Sequence, residues 1–545
     1  MLLISGYAEK SRAMAHPGSS LQRARRICGR WLIAVLLTFL STRTVSAQKA
    51  QDHSALGISL ARAGKLAEAE NELQQAAHGA PGIALYRAQL GSILGLEGKW
   101  NEALASFQKA VELAPTNISF RRETAAVQWQ LGLMPSAEKN LRYVLAKSPG
   151  DPGSVLLLGM VNEKLGHYET AAGLLDSQFD LVISQPERTI ALFHSLVRSG
   201  QRSKLAKIVD VLRLRRNDPG WPSAISRCSQ IAASGGELET AKSLFALIPM
   251  NEPSRSYAGI QLATLQYNVG QVSDAKQLLL QLVEQGVVSA DLQLLLGNCY
   301  ETEHQPGLAL QAYRRAIEAE PARVDSYQDL IALLANVGKS SDALELVKHA
   351  IAIAPDDSRP WVWKGNLSLR KNEYKDAIAS YTRASNLDRS NADAVLGIAT
   401  VHFVAGENAA AINQYRAGMA RFPNDARFYI ACAETLLASP DSLKLQREAE
   451  DLLRKAAKLN PQSAEAHYQL GQLALQRGQF KDAAAEFALS LQSDPGQSKA
   501  HFALSVLYRR TGLADDARHE FEIYQSLKRT EDGGMATPTR GEEKP

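Results

Sequence analysis

The chain has 545 residues, of which 45% are hydrophobic, 22% charged and 6% aromatic, with a formal net charge of +4. That balance excludes a disordered polyelectrolyte, and a charge so small and dispersed excludes the basic stripe of a nucleic-acid-binding protein. Four cysteines in this length exclude a disulfide framework.

The first 47 residues differ in character from the rest. Arg23, Arg25, Arg26 and Arg30 precede an apolar run from Trp31 to Leu40, and Val45, Ser46 and Ala47 give a small-x-small pattern before Gln48. This is the layout of a secretory signal cleaved between Ala47 and Gln48, starting at Met1 or Met14. The uncharged stretch from Trp31 to Thr42 is 12 residues long, short of the roughly 20 that span a bilayer. Cys28 precedes the apolar run and so does not match a lipoprotein acylation site. The expected location is outside the cytoplasm, periplasmic or at the envelope, with secretion as the further alternative.

From residue 48 onward the chain repeats itself every 34 residues. Alanines stand at Ala69, Ala103, Ala137 and Ala171 and again at Ala241, Ala275, Ala309, Ala343, Ala377 and Ala411. Glycines five residues earlier, such as Gly64, Gly98 and Gly132, mark turns, and prolines such as Pro81, Pro115 and Pro149 close each unit, since a residue without an N–H cannot continue a helix. In the unit from 84, Leu85, Leu90, Ile93 and Leu94 mark the apolar face of a first helix. Ala103, Phe107 and Ala110 mark that of a second. The alanine is expected where the two helices cross, and the aromatic one turn later is expected to fill the space between units. A period of this length, in which no unit buries its apolar face alone, means a stacked solenoid.

Gly91, Gly98, Ala103, Phe107, Ala110 and Pro115, and again Gly471, Gly478, Ala483, Phe487 and Pro495, carry a specific resemblance to the tetratricopeptide repeat. The resemblance implies an all-α, right-handed superhelical α-solenoid of about fourteen helix-turn-helix units. Four units are expected over 48–185 and nine over 222–531, around an aberrant unit at 186–221 that is a candidate hinge. There Leu205 replaces the alanine, Phe193 the small residue, and Asn217 to Gly220 bring an insertion. A second insertion, Ser439 to Ser442, is expected to lengthen the connection between two helices. Residues 532–545, rich in Gly, Glu, Thr and Pro, are expected to be disordered.

No phosphate loop, zinc helix, C-x-x-C pair or nucleophile elbow occurs, so no catalytic residue, cofactor or metal is expected. Cys228, Cys299 and Cys432 fall on apolar first helices and are expected in the core. A basic cluster, Arg198, Arg202, Lys204, Lys207, Arg213, Arg215 and Arg216, is expected to form a solvated face, with docking of an acidic partner as the alternative.

Function then falls to the concave surface that, by the resemblance, first helices line. Its candidate residues are Trp129, Tyr257, Tyr267, Asn298, Asn366, Phe403, Tyr468 and Phe502. Aromatic bodies supply buried area, and asparagine amides bind peptide backbone in both directions. The expected partners are proteins or peptides and not nucleic acid, in the role of an exported non-catalytic scaffold in envelope, secretion or exopolysaccharide assembly. The alternative is a subunit that presents a substrate or polymer to a separate enzyme. Asn298, Arg359 and Asn366 only partly match the cluster by which some members grip a C-terminal carboxylate, since Leu294 stands in place of its lysine. Phe521 and Tyr524 on the last second helix lack cover, which points to self-association through the C-terminal repeat.

Overall fold

The computed structural model describes residues 48–439 and 442–533. The N-terminal segment through Ala47 and the tail beyond 533 lie outside the described residues. Every described element is a helix, and the helices come in pairs, in two compact units divided between Leu262 and Ala263.

In the first unit the leading helices are 48–62, Ala84–Leu96, Ile118–Gln130, Pro152–Lys164, Pro186–Arg198 and Trp221–Ser234. In the second they are Ala290–Thr302, Asp325–Asn336, Arg359–Arg370, Ala392–Val404, Ala426–Leu437, Ala464–Gln476 and Ser498–Arg510, and Arg255–Asn268 contains the division. Polar residues at the closing turns start many of them: the side chains of Asn117, Asp151, Ser289, Asn391, Asp425 and Ser463 each accept a first-turn N–H. Each such cap is worth about 1 kcal/mol.

The turn inside a pair is a left-handed glycine. Gly98 has φ +77° and the Lys99 N–H reaches back to the Leu94 carbonyl at 2.8 Å, which satisfies an end carbonyl of the first helix. The second helix then begins three residues before the ladder alanine, as in Trp100–Leu113 around Ala103. The ladder alanines from Ala69 to Ala483 are all fully buried, and Ala517 in the last pair is half-buried.

The aromatic one turn after the alanine does not simply fill space between units. It packs into the small residue of its own first helix. A Cβ on Gly91 would lie 2.9 Å from the Phe107 ring, one on Gly297 2.2 Å from Tyr313, and one on Gly471 2.6 Å from Phe487. Among the described residues Tyr381 alone closes on glycines of two successive first helices, Gly365 and Gly397, each at 2.6 Å. Close packing fixes the summed volume at this crossing and not which helix supplies it.

Two further expectations are corrected. Leu85 is 51% exposed, and Tyr86 and Ala88 join Leu90, Ile93 and Leu94 in the core. The extra residues near 440 do not merely lengthen a connection: the second helix is Ser442–Leu459, 18 residues against the usual 14, so they add a turn to its start. The fourth second helix breaks into Tyr168–Asp176 and Phe179–Val182, where the Ser177 hydroxyl takes the Leu174 carbonyl at 2.7 Å in competition with the helical ladder. In the aberrant pair, a 3-10 turn at Arg202–Lys204 leads into Leu205–Arg215, with Leu205 and Phe193 buried.

Candidate functional site

One concave site in the second unit is a cavity of about 560 Å³ lined by the leading helices Asp325–Asn336, Arg359–Arg370 and Ala392–Val404. Val362, Trp363 and Leu367, all buried, form an apolar wall. Ile331, Leu369 and Leu396 extend the apolar lining, and the polar part takes its order from the 34-residue register.

Arg359 bonds Asp325, 34 residues back, and Asp357. Arg427 repeats the arrangement with Asp393 at 2.6 Å and Asp425 at 2.7 Å. The guanidinium hydrogen bonds hold the Asp357 and Asp425 carboxyls below their usual range, so both stay charged and pinned. Arg370, also 34 residues from its partner, donates to the Asn336 side-chain oxygen at 2.9 Å. It has no acidic partner among the described ion pairs. Asn391 caps its helix through Oδ1 and donates Nδ2 to the Ser358 hydroxyl at 2.8 Å.

Asn366 is an exposed polar group on this wall. The Tyr381 hydroxyl donates to its Oδ1 at 2.6 Å, and Tyr381 is itself buried, with its phenol pushed up to about 12 by that burial. A phenol that keeps its proton fixes the amide, so Asn366 turns its Nδ2 donors toward the cavity. One lone pair of Asn366 Oδ1 is thereby taken by Tyr381, while both Nδ2 donors stay available to a ligand.

Asn298 occupies the equivalent place two pairs earlier, under Tyr313, but Glu301 competes. The Tyr313 hydroxyl lies 2.6 Å from Asn298 Oδ1 and 2.5 Å from Glu301 Oε2, and it has one proton for both. Burial and then Glu301 raise the Tyr313 phenol, and burial and then Glu301 raise the Asp329 carboxyl. The amide of Asn298 is therefore not locked as that of Asn366 is. Nearby, the Thr302 hydroxyl donates to the Asn298 carbonyl at 2.9 Å, which leaves the Tyr267 hydroxyl to donate to Thr302 at 3.1 Å.

The other sequence candidates are dispersed. Tyr257 is 55% exposed and lines a smaller cavity of about 360 Å³ in the first unit, with His194 and Glu163 paired at 2.6 Å on its wall. Trp129 packs against the cluster of Ala125, Ala137, Leu141 and Leu158, and Phe403 against that of Ala399, Tyr415 and Leu436. Tyr468 lies 6.1 Å from Phe487, and Phe502 lies 6.5 Å and 5.1 Å from Phe521 and Tyr524, so these two turn toward the second helix of their own pair. Of the eight, only Asn366 faces the 560 Å³ cavity.

The basic cluster is largely neutralised in place. Arg202 pairs with Glu237, Lys204 with Asp176, Arg213 with Asp210 and Arg215 with Asp218, while Lys207 sits over the Phe179 ring. Cys228, Cys299 and Cys432 are buried and unpaired. Burial pushes the thiols of Cys299 and Cys432 up to about 11. Among the described residues no group of three or more His, Cys, Asp or Glu is placed to hold a metal, and no helix is long and apolar enough to cross a membrane.

Sequence reasoning missed Trp363, Arg370 and the paired Arg427 of this site. The 34-residue spacing of Asp325 and Arg359, repeated at Asp393 and Arg427, was a signal that could have found the ion-pair ladder.

Comparison with known proteins agrees with this architecture. Profiles of the tetratricopeptide repeat match residues 54–118, 260–324, 329–394 and 447–498, and a second such profile matches 368–435, together just over half of the chain. The human protein O-mannosyl-transferase TMTC3 is 29% identical over 36% of this chain and 22% of its own length. Tetratricopeptide repeat protein 8 of Caenorhabditis elegans is 22% identical over 47% of this chain and 44% of its own length, so the chain spans less than half of either relative. Among solved structures, yeast Tom70 superposes with a TM-score of 0.44 at 16% identity, covering 83% of this chain and 93% of that one.

Proposed function

The chain belongs to the tetratricopeptide repeat family, and from that premise we propose that it is a non-catalytic scaffold that holds an extended protein segment along the leading helices of its second unit. The observation that carries this reading is Asn366, whose donors Tyr381 aims into a cavity with a buried apolar wall. A peptide lying there can place carbonyl oxygens on those donors while its side chains cover Trp363 and Leu367. Arg370 adds a cation whose own partner is a neutral amide. Such a site reads backbone first and side chains second, which suits a protein that assembles others.

Location is part of the same proposal. The arginine-flanked apolar run and the Val45-Ser46-Ala47 pattern support export, with work in the periplasm or at the envelope, in secretion or exopolysaccharide assembly. N-terminal sequencing of the protein recovered from a periplasmic fraction is expected to begin at Gln48; recovery of an intact N-terminus from the cytoplasm removes this element.

The binding test is selection of peptides from a displayed library of unstructured sequences by the full chain. Selected peptides are expected to lose about tenfold in affinity on Asn366→Ala, the loss of a hydrogen bond to an aimed donor. They should lose more on Asn366→Asp, which sets an acceptor against backbone carbonyls. Asn298→Ala is expected to change little. Retention of envelope polysaccharide with no peptide selected overturns the scaffold reading in favour of the polymer-presenting one.

A further inference from the structure

The first unit has a recess of its own. It is the cavity of about 360 Å³ over the leading helices Pro152–Lys164, Pro186–Arg198 and Trp221–Ser234 and the first turns of Arg255–Asn268. Besides His194, its charged lining is one carboxylate, Glu163, and two cations, Lys164 and Arg227. Glu163 is buried and satisfied within the wall: it accepts from His194 Nδ1 at 2.6 Å and lies 3.2 Å from Lys164 Nζ. Burial alone would raise this carboxyl, but those two partners outweigh it and hold the group below its usual range. An ionised carboxylate only accepts, so the Nδ1 proton of His194 is committed to it and the ring is fixed as one side of the recess. Lys164 is likewise taken, and Arg227 is left over.

Elsewhere the register answers such a cation. Arg359, Arg370, Arg427 and Lys499 each bond an acidic or polar side chain 34 residues back, on the preceding leading helix. Arg227 has no such neighbour. Gly200 and Gly236 are 36 residues apart, so the equivalent place on the preceding leading helix is Ala191, which is buried. Gln261 stands 34 residues ahead on the next. Among the described residues neither Arg227 nor Gln261 makes a side-chain hydrogen bond or ion pair, and Arg227 is exposed. A guanidinium fork beside a free amide presents the donors that a carboxylate accepts. Tyr257, one turn before Gln261 and 55% exposed, adds apolar surface to the same recess, as do Ile190 and Ile231.

We propose that this recess is a second binding site, separate from the Asn366 cavity, for an acidic side chain of a partner protein segment. Arg227 and Gln261 hold the carboxylate, and apolar neighbours of that residue in the segment lie on Tyr257, Ile190 and Ile231. The apolar lining favours a protein segment over an acidic polysaccharide, whose repeating units bring hydroxyls in place of hydrocarbon. The proposal does not depend on the Asn366 reading, since this site lies in the other unit and selects a side-chain charge where Asn366 meets backbone carbonyls.

The test is selection of peptides from a displayed library of unstructured sequences by the full chain carrying Asn366→Asp, with the unaltered chain in parallel. Selected peptides are expected to carry Asp or Glu beside apolar residues. Their affinity is expected to fall on the order of tenfold on Arg227→Ala, the loss of hydrogen bonds between charged groups. Replacing the peptide's acidic residue by its amide should cost as much, and the two losses should not add. Arg227→Lys should recover only part, because an ammonium lacks the fork. Arg227 is exposed, so helicity is expected to stay the same in each variant, which separates lost binding from lost fold. Arg216→Ala removes the same charge from an exposed place outside the recess and is expected to change little. Selected peptides without acidic residues, peptides indifferent to Arg227→Ala, or equal losses on Arg216→Ala overturn the proposal. So does an empty selection, or retention of polygalacturonate with no peptide retained.

Discussion

Single residues carry the geometry that the period demands, and two of them show the rule through its exceptions. The glycine ladder runs through Gly270, Gly338 and Gly406, and the positions halfway between hold His304 and Asn372. Both adopt the same left-handed backbone, with φ 56° and 59°, where a side chain is disfavoured. The fold therefore imposes the turn whether or not the sequence supplies its preferred residue. His304 is exposed, so little packing is lost with its side chain. His304→Gly is expected to raise stability to chemical denaturation by about 1 kcal/mol, and Asn372→Gly by less, because asparagine tolerates this region better. A loss of stability in His304→Gly would mean that the turn is not strained. In the sequence these positions are legible only as gaps in a ladder; that the turn persists there depends on packing of the flanking helices.

At the scale of a helix pair, the crossing is a volume constraint shared by two residues. Glycine faces a ring at Gly91 and Phe107, and at Gly471 and Phe487. The bulk is reversed in the pair where buried Ile331 shares a cluster with Val347, and in the aberrant pair, where Phe193 and Val209 are both buried. Phe193 reads in the sequence as a departure from the pattern, yet together with a smaller Val209 it keeps the sum. Gly91→Ile alone is expected to cost about 1–3 kcal/mol by overpacking. Adding Phe107→Val, which copies the Ile331 and Val347 arrangement, should recover more than half of that in a double-mutant cycle. Additive losses would contradict a shared constraint. The helices and turns were legible because each depends on residues close in sequence. The cavity was not, because Trp363, Arg370 and Arg427 acquire their meaning from neighbours one pair away, and a charge or an aromatic at that distance is common in any helical protein.

Across the whole chain, stacking makes titration regional, and one buried acid sets its direction in the second unit. Glu434, on Ala426–Leu437, is pushed up to about 7 by burial and then by Glu465 on the next leading helix. Burial acts on Glu465 too, but Lys499 and Gln469 outweigh it and hold that carboxyl below its usual range. The two shifts act in different windows. The folded chain holds a proton on Glu434 that the unfolded chain has released, so this contribution is complete below the unfolded carboxyl value and disappears as pH rises toward 7. Glu465 acts the other way, adding stability above its unfolded value and losing it only in stronger acid. Between about pH 4.5 and 7 the Glu434 contribution therefore decides the slope. Discounted for its partial exposure, it amounts to about 1–2 kcal/mol. Denaturant titrations of the second unit's transition are expected to show that fall, and Glu434→Gln to flatten it, since the amide keeps the Gln469 neighbourhood without an ionising group. Because each pair contacts only its neighbours, the first unit's transition should show no matching change in the same variant. A variant that shifted both transitions equally would contradict nearest-neighbour stacking, and one that left the slope unchanged would move its origin away from Glu434.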